Sequence, residues 1–163
     1  MVDAPFTPRS LRVEQVARRT NTVWLFTFAA DEGSRLDDLA YDPGQVAVVA
    51  VDDLEDAYMA IASAPGERDS IEFLVKASGD AGQRLCDLGR LARVELKGFV
   101  GRGFPVDSFP GKDLIFVAAG TGVAPIRAAI AHAIRHRERF GRIVLVHGVR
   151  RPGDFAVDDE IDH

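Results

Sequence analysis

Along the first two thirds of the chain, apolar residues recur with a period of two. Leu11, Val13 and Val16 mark a first strand. Trp24, Phe26 and Phe28 then alternate with Val23, Leu25 and Thr27, which puts bulky side chains on one face. The turn Asp42-Pro43-Gly44 precedes the run Val46-Ala47-Val48-Val49-Ala50-Val51, and Asp52, Asp53, Glu55 and Asp56 form a solvated loop after it. Strands follow over 59–64 and 71–77, separated by Pro65-Gly66-Glu67, and over 92–99. A short helix over 81–88 lies before the last of them. Six short strands divided by turn signals predict a small antiparallel barrel.

Past Pro110-Gly111 the pattern changes. Residues 114–118, Leu-Ile-Phe-Val-Ala, are apolar without alternation, as expected of a parallel strand covered on both faces. A helix follows with Pro125 in its first turn, where a missing N–H costs nothing. Ile126, Ile130, Ala133 and Ile134 form its expected inward stripe, while Arg127, Arg135 and Arg139 point elsewhere. A second buried strand over 143–146 completes one βαβ unit, with a right-handed crossover expected. The fold class is therefore β barrel plus α/β: the barrel over 8–108, then a parallel βαβ unit over 111–163.

Composition narrows the function. The 163 residues, 47% hydrophobic and 28% charged, suffice for one large domain or two small lobes. A net charge of −5 argues against nucleic acid, since no basic excess is available to displace counterions. Cys86 is the single cysteine, which excludes an intrachain disulfide framework. The opening Met1-Val2-Asp3-Ala4-Pro5 lacks a basic region followed by an apolar run, and no apolar stretch nears the ~20 residues that span a bilayer. The expectation is a cytoplasmic protein without membrane insertion.

The chemistry concentrates in Gly120-Thr121-Gly122-Val123-Ala124-Pro125, between apolar strand and helix. Flanking glycines let the backbone approach a ligand closely, and the helix start offers free N–H groups and a favourable dipole to an anion. A tight strand-to-helix turn without a ligand is the plainer alternative. The pattern is not G-x-G-x-x-G, and the acidic residue expected ~20 positions on has no good candidate; Glu138, the nearest, falls on the helix.

The order of segments then becomes specific. Pro43-Gly44-Gln45, Ile61-Ala62-Ser63-Ala64-Pro65, Gly98-Phe99-Val100-Gly101-Arg102-Gly103-Phe104-Pro105, the turn above, and His147-Gly148-Val149-Arg150 together resemble the ferredoxin–NADP reductase superfamily. The chain looks most like the flavin-binding electron-transfer subunits of cytoplasmic hydrogenases and of dihydroorotate dehydrogenase. That resemblance implies a six-stranded antiparallel Greek-key barrel holding FAD, a partial parallel-sheet nucleotide-binding lobe holding NAD(P)H, and a protein redox partner or complex, with self-association left open. Its flavin motif, Arg-x-Tyr-Ser then Ile-Ala-Ser, falls on Ala57 to Ser63. Ala57, Met59 and Ala60 replace the arginine, aromatic and serine, while Ile61, Ala62 and Ser63 match. Backbone contacts from Met59, Ala60, Ile61, Ala62 and Ser63 need no particular side chain.

A second implied flavin segment is Gly79-Asp80-Ala81-Gly82-Gln83. Gly79, Gly82 and Gln83 open the short helix and could hold a pyrophosphate, with Gln83 where the family has serine or threonine. Asp80 as a carboxylate cap is the alternative. On the nucleotide side the resemblance implies Gly120, Thr121, Gly122, Val123, Ala124 and Pro125 at the phosphates, and Gly148, Val149 and Arg150 beside the adenosine ribose. It also expects more strands and helices after Arg150 than are present before His163. A shortened nucleotide lobe follows as an expectation, and so does a second function: a non-catalytic reductase-like scaffold or an assembly or regulatory subunit.

Other residues promise less. His132 and His136, at i and i+4, share a helical face without a third ligand at a recognised spacing, so a solvated face is expected there rather than a metal. The arginines from Arg127 to Arg151 form a basic stretch, and Cys86 reads as a packed small hydrophobe. No acid–base or nucleophilic residue is assigned.

Overall fold

The computed structural model describes residues 6–32, 36, 39–66 and 69–157. Met1 to Pro5, Glu67 of the expected turn, and the last residues to His163 lie outside them. Six antiparallel strands come first: β1 (Arg9–Arg18), β2 (Val23–Ala30), β3 (Val46–Val51), β4 (Ala57–Ala60), β5 (Ser70–Lys76) and β6 (Arg93–Val100). Helix α1 (Gly79–Leu88) lies between β5 and β6. The sheet order is β4-β3-β6-β1-β2-β5. Its two edges meet only at one end, where Ile61 bridges Phe73 and the Ala62 N–H donates to the Glu72 carbonyl at 2.8 Å. Beyond that bridge β4 and β5 part, so the barrel is closed at one end and split at the other.

Alternation explains the core. Leu11, Phe26, Phe28, Val49, Phe73 and Leu96 turn inward from successive strands and are buried. Phe28 packs against both Phe26 and Phe73. The opposite face of β2, expected to be the lighter one, is buried as well: Leu25 and Thr27 are each 7% exposed. They are covered because the second part of the molecule packs there.

That part consists of parallel strands β7 (Leu114–Ala119) and β8 (Ile143–Gly148), with α2 (Val123–Arg135) between them. Two expectations need correction. Leu114, Phe116, Ala118, Ile143 and Leu145 pack in the clusters that include α2, but Ile115, Val117, Val144 and Val146 are exposed. The parallel strands are thus covered on one face only among the described residues. On α2 the buried stripe is Val123, Ala124, Ile126, Ala128, Ala129 and Ala133, whereas Ile134 is 58% exposed. Four alanines let the helix lie close to both sheets, which one row of isoleucines would prevent.

Where the two parts meet, Ala124 of α2 joins Leu25 and Ala62 in one small cluster. Arg127, expected to face away, reaches into this junction. Its Nη1 donates at 2.7 Å to both the Ala62 carbonyl and Glu72 Oε2. The other Glu72 oxygen accepts from Thr27 Oγ1 at 3.2 Å. A carboxylate in the interior of a strand needs such partners, because leaving water unpaired is costly.

Candidate functional site

Two clefts adjoin this junction. The larger, about 520 Å³, opens at the carboxyl ends of β7 and β8. Parallel sheets place ligand sites there because loops diverge from strands whose helices lie alongside. Gly120, Thr121, Gly148, Val149 and Arg150 all line it, so the structure brings together five residues separated by up to 30 positions. From the other side come Thr20 and Thr22 of the β1–β2 turn and Lys76 at the end of β5.

The turn itself is a single 3₁₀ turn, Gly120–Gly122, leading directly into α2. Gly120 sits at φ +52°, a left-handed conformation that favours glycine, and a Cβ there would meet nothing within 4 Å. Glycine is therefore required by the backbone and not by crowding. The first helical residues divide by role: Val123 and Ala124 are buried in the packing of α2, and neither they nor Gly122 and Pro125 line the cleft. Glu138 lies on the far turn after α2. Asp154 instead brings a carboxylate to the cleft wall.

The second cleft, about 310 Å³, is the split between β4 and β5. Met59, Ala60, Gly79 and Gly82 line it, with Ala57, Tyr58 and Lys76. Because the edges of β4 and β5 do not pair here, their backbone N–H and C=O groups face the cleft without a ladder partner. Ala57 and Ala60 keep it wide. Helix α1 closes one side; its N-cap is Ser78, whose side chain makes no capping bond, and Asp80 stands within the first turn instead of at the cap. Gly82 presses against the Lys76 carbonyl so closely that no side chain would fit.

Ile61, Ala62 and Ser63 are placed otherwise. All three are buried and build the closed end of the barrel. Ser63 Oγ accepts the Glu72 N–H at 3.0 Å and lies 3.2 Å from the Tyr41 hydroxyl. Gln83 points along α1 to Asp87 at 2.9 Å. Tyr58 is 70% exposed at the rim.

Lys76 borders both clefts, so the two are neighbours around one cation. Neither Lys76 nor Asp154 stood out in the sequence, because a charge at a strand or turn end has no pattern of its own. Glu72 carried a visible signal, a lone acid inside Ile71-Glu72-Phe73-Leu74-Val75, but nothing marked Arg127 as its partner.

The remaining candidates are structural. His132 Nε2 lies 3.2 Å from Asp107, and its ring packs edge-on against His136. Burial pushes the Asp107 carboxyl up, yet His132 and Arg139 beside it prevail and hold it below the usual carboxylate range. Burial raises the Cys86 thiol, which keeps it a weak nucleophile.

Comparison with known proteins adds descent to this geometry. Residues 116–163 match the family model of the oxidoreductase NAD-binding domain. The chain is 27% identical over 160 residues to the sulfhydrogenase 1 subunit gamma of Pyrococcus furiosus, covering 98% of this chain and 55% of that subunit. It is 42% identical over 50 residues to a ferredoxin–NADP reductase of Azotobacter vinelandii, 31% of this chain and 19% of that one. Among solved structures, the flavohem-like FAD/NAD-binding domain of nitric oxide dioxygenase from Vibrio cholerae superposes with a TM-score of 0.79. The identity is 18%, and 93% of this chain and 67% of that one are covered; the likeness is one of fold. The chain thus spans about half the length of the sulfhydrogenase subunit.

Proposed function

Because the chain belongs to the ferredoxin–NADP reductase superfamily, we infer that it carries electrons between NAD(P)H and a protein partner by way of FAD. The observation that carries this reading is the adjacency of the two clefts. One is built around a glycine turn at the ends of parallel strands, the other in the split of the barrel, and Lys76 borders both. Two cofactors that exchange electrons must approach closely, and this arrangement provides neighbouring places for them.

The residues present fit the two groups unequally. In the nucleotide cleft, Gly120 and Thr121 would hold phosphate by backbone N–H groups, with Arg150 and Lys76 supplying positive charge and Asp154 a ribose acceptor. In the flavin cleft, Ala57, Met59 and Ala60 offer no directional side-chain contact. Recognition there falls to the unpaired edges of β4 and β5, the uncapped start of α1 with Gly79 and Gly82, and the Lys76 ammonium. Bound flavin supplies the conversion between two-electron and one-electron chemistry, while the protein orients the rings and keeps water away. Of the two parts, residues 8–108 serve the flavin and 111–163 the nucleotide. The partner is a subunit of the same complex.

Purified protein mixed with FAD should show bound-flavin absorbance near 450 nm, bleached by anaerobic NADH or NADPH. A protein that stays colourless overturns the electron-transfer reading. It would favour the second one, a reductase-like scaffold, whose motive is the missing arginine, aromatic and serine at Ala57, Met59 and Ala60.

A further inference from the structure

His147 lies on β8, immediately before the Gly148-Val149-Arg150 segment, yet it does not line the cleft. Its Nε2 is 2.9 Å from the Gly120 carbonyl oxygen, bridging from β8 to the glycine turn. A carbonyl oxygen only accepts, so Nε2 carries the proton. In the neutral ring Nδ1 is then bare, and it is buried with no hydrogen-bond partner among the described residues. The ring is held edge-on by Phe155, with centroids 5.3 Å apart.

The same Gly120 oxygen also accepts the Val123 N–H at the start of α2. Two donors therefore fix the direction of one carbonyl. In a trans peptide the C=O of one residue and the N–H of the next point in opposite directions. With the Gly120 C=O turned toward His147 and the start of α2, the Thr121 N–H is turned the other way, and Gly120 and Thr121 themselves border the cleft. Such fixing matters here because glycine at Gly120 and again at Gly122 leaves this backbone free to adopt several orientations.

We propose that His147 is the positioning residue of the glycine turn: its Nε2–H locks the Gly120 carbonyl and so aims the Thr121 N–H at a dinucleotide phosphate. The inference rests on the nucleotide site described above and adds to it a residue that never touches the ligand. A preoriented N–H binds an anion better than one that must first be turned, since the ordering cost is met before binding.

The test uses the full chain, with NADH and NADPH as probes, in wild type, His147→Leu and His147→Gln. Leucine keeps apolar bulk against Phe155 without a donor, whereas the glutamine amide can reach the place of Nε2. Calorimetry gives affinity, and the Thr121 amide resonance shows whether its N–H meets the ligand. The expected result is a Thr121 shift on binding in wild type, a loss of roughly tenfold in affinity for His147→Leu, and recovery to within about threefold for His147→Gln. Equal affinity in wild type and His147→Leu overturns the proposal. So does a His147→Gln protein as weak as His147→Leu, which would make ring packing the cause. The imidazole ¹⁵N spectrum of wild type decides the matter even where the leucine variant does not fold: an Nδ1–H tautomer overturns the proposal. Wild type that binds neither dinucleotide overturns the nucleotide reading itself, and this inference with it, before any variant is compared.

Discussion

In the six-stranded sheet Phe26, Phe28 and Phe73 are at most 1% exposed, whereas in the parallel pair Ile115 and Val117 are each 69% exposed. The barrel curls its apolar face inward and covers it with its own strands. Two parallel strands cannot do this; they have two faces and, in the described residues, one helix. Their buried face is secured by α2, which is itself joined to the barrel at Leu25, Ala62 and Ala124, while their other face has no cover there. The self-sufficient part is thus the one with Ala57, Met59 and Ala60 along its open cleft, and the part with the glycine turn depends on its surroundings. In such a molecule the integrity of a binding motif and the self-sufficiency of the fold around it are separate properties.

Three tests would break or sharpen that contrast. The largest effect is expected for Phe28→Ala. It empties a fully packed site between Phe26 and Phe73, and about 3–5 kcal/mol of unfolding free energy should be lost in urea titration. A loss below about 1 kcal/mol would show that the barrel is not the self-sufficient part.

Arg127→Met should come next. It leaves the carboxylate of Glu72, whose side chain is 12% exposed, without its cation and should cost roughly 3 kcal/mol. Adding Glu72→Gln should recover part of that, because the amide no longer brings an unpaired charge into the junction. If the double variant is no more stable than Arg127→Met, the ion pair does not join the two parts.

The smallest effect belongs to Val117→Thr on the bare face. With the side chain already exposed, stability should change by about 0.5 kcal/mol or less. A loss of more than 1 kcal/mol would mean that something covers this face in solution, and would shrink the difference between the two parts.

Much of this was legible in the chain itself. Apolar patterning and turn signals located five of the antiparallel strands, because a sheet with one face on the core tends to alternate. The fourth, expected over 59–64, is Ala57–Ala60, and only Ile61 beyond it makes an isolated bridge. The glycine turn and its helix could be read from Gly120 to Pro125, because left-handed φ and a proline in a first turn are local demands. Local rules could not say which faces would be covered. A continuous apolar run such as 114–118 reads the same whether one face or two is buried, and Ile134 fits a helical stripe until the helix is docked. Nor could they show that the barrel would close at Ile61 and Phe73, turning Ile61, Ala62 and Ser63 inward, and split at Met59 and Ala60.

What the sequence by itself determined, then, was the set of elements, the resemblance to a superfamily and the glycine turn, all of which are carried by residues a few positions apart. What only the tertiary structure decided was which distant groups meet. Lys76 stands between two clefts, Arg127 crosses 55 positions to Glu72, and His147 crosses 27 to Gly120. Such pairings follow from how two sheets and a helix settle against each other. That packing is set by the summed burial of many side chains and leaves no periodic mark on the residues it brings together.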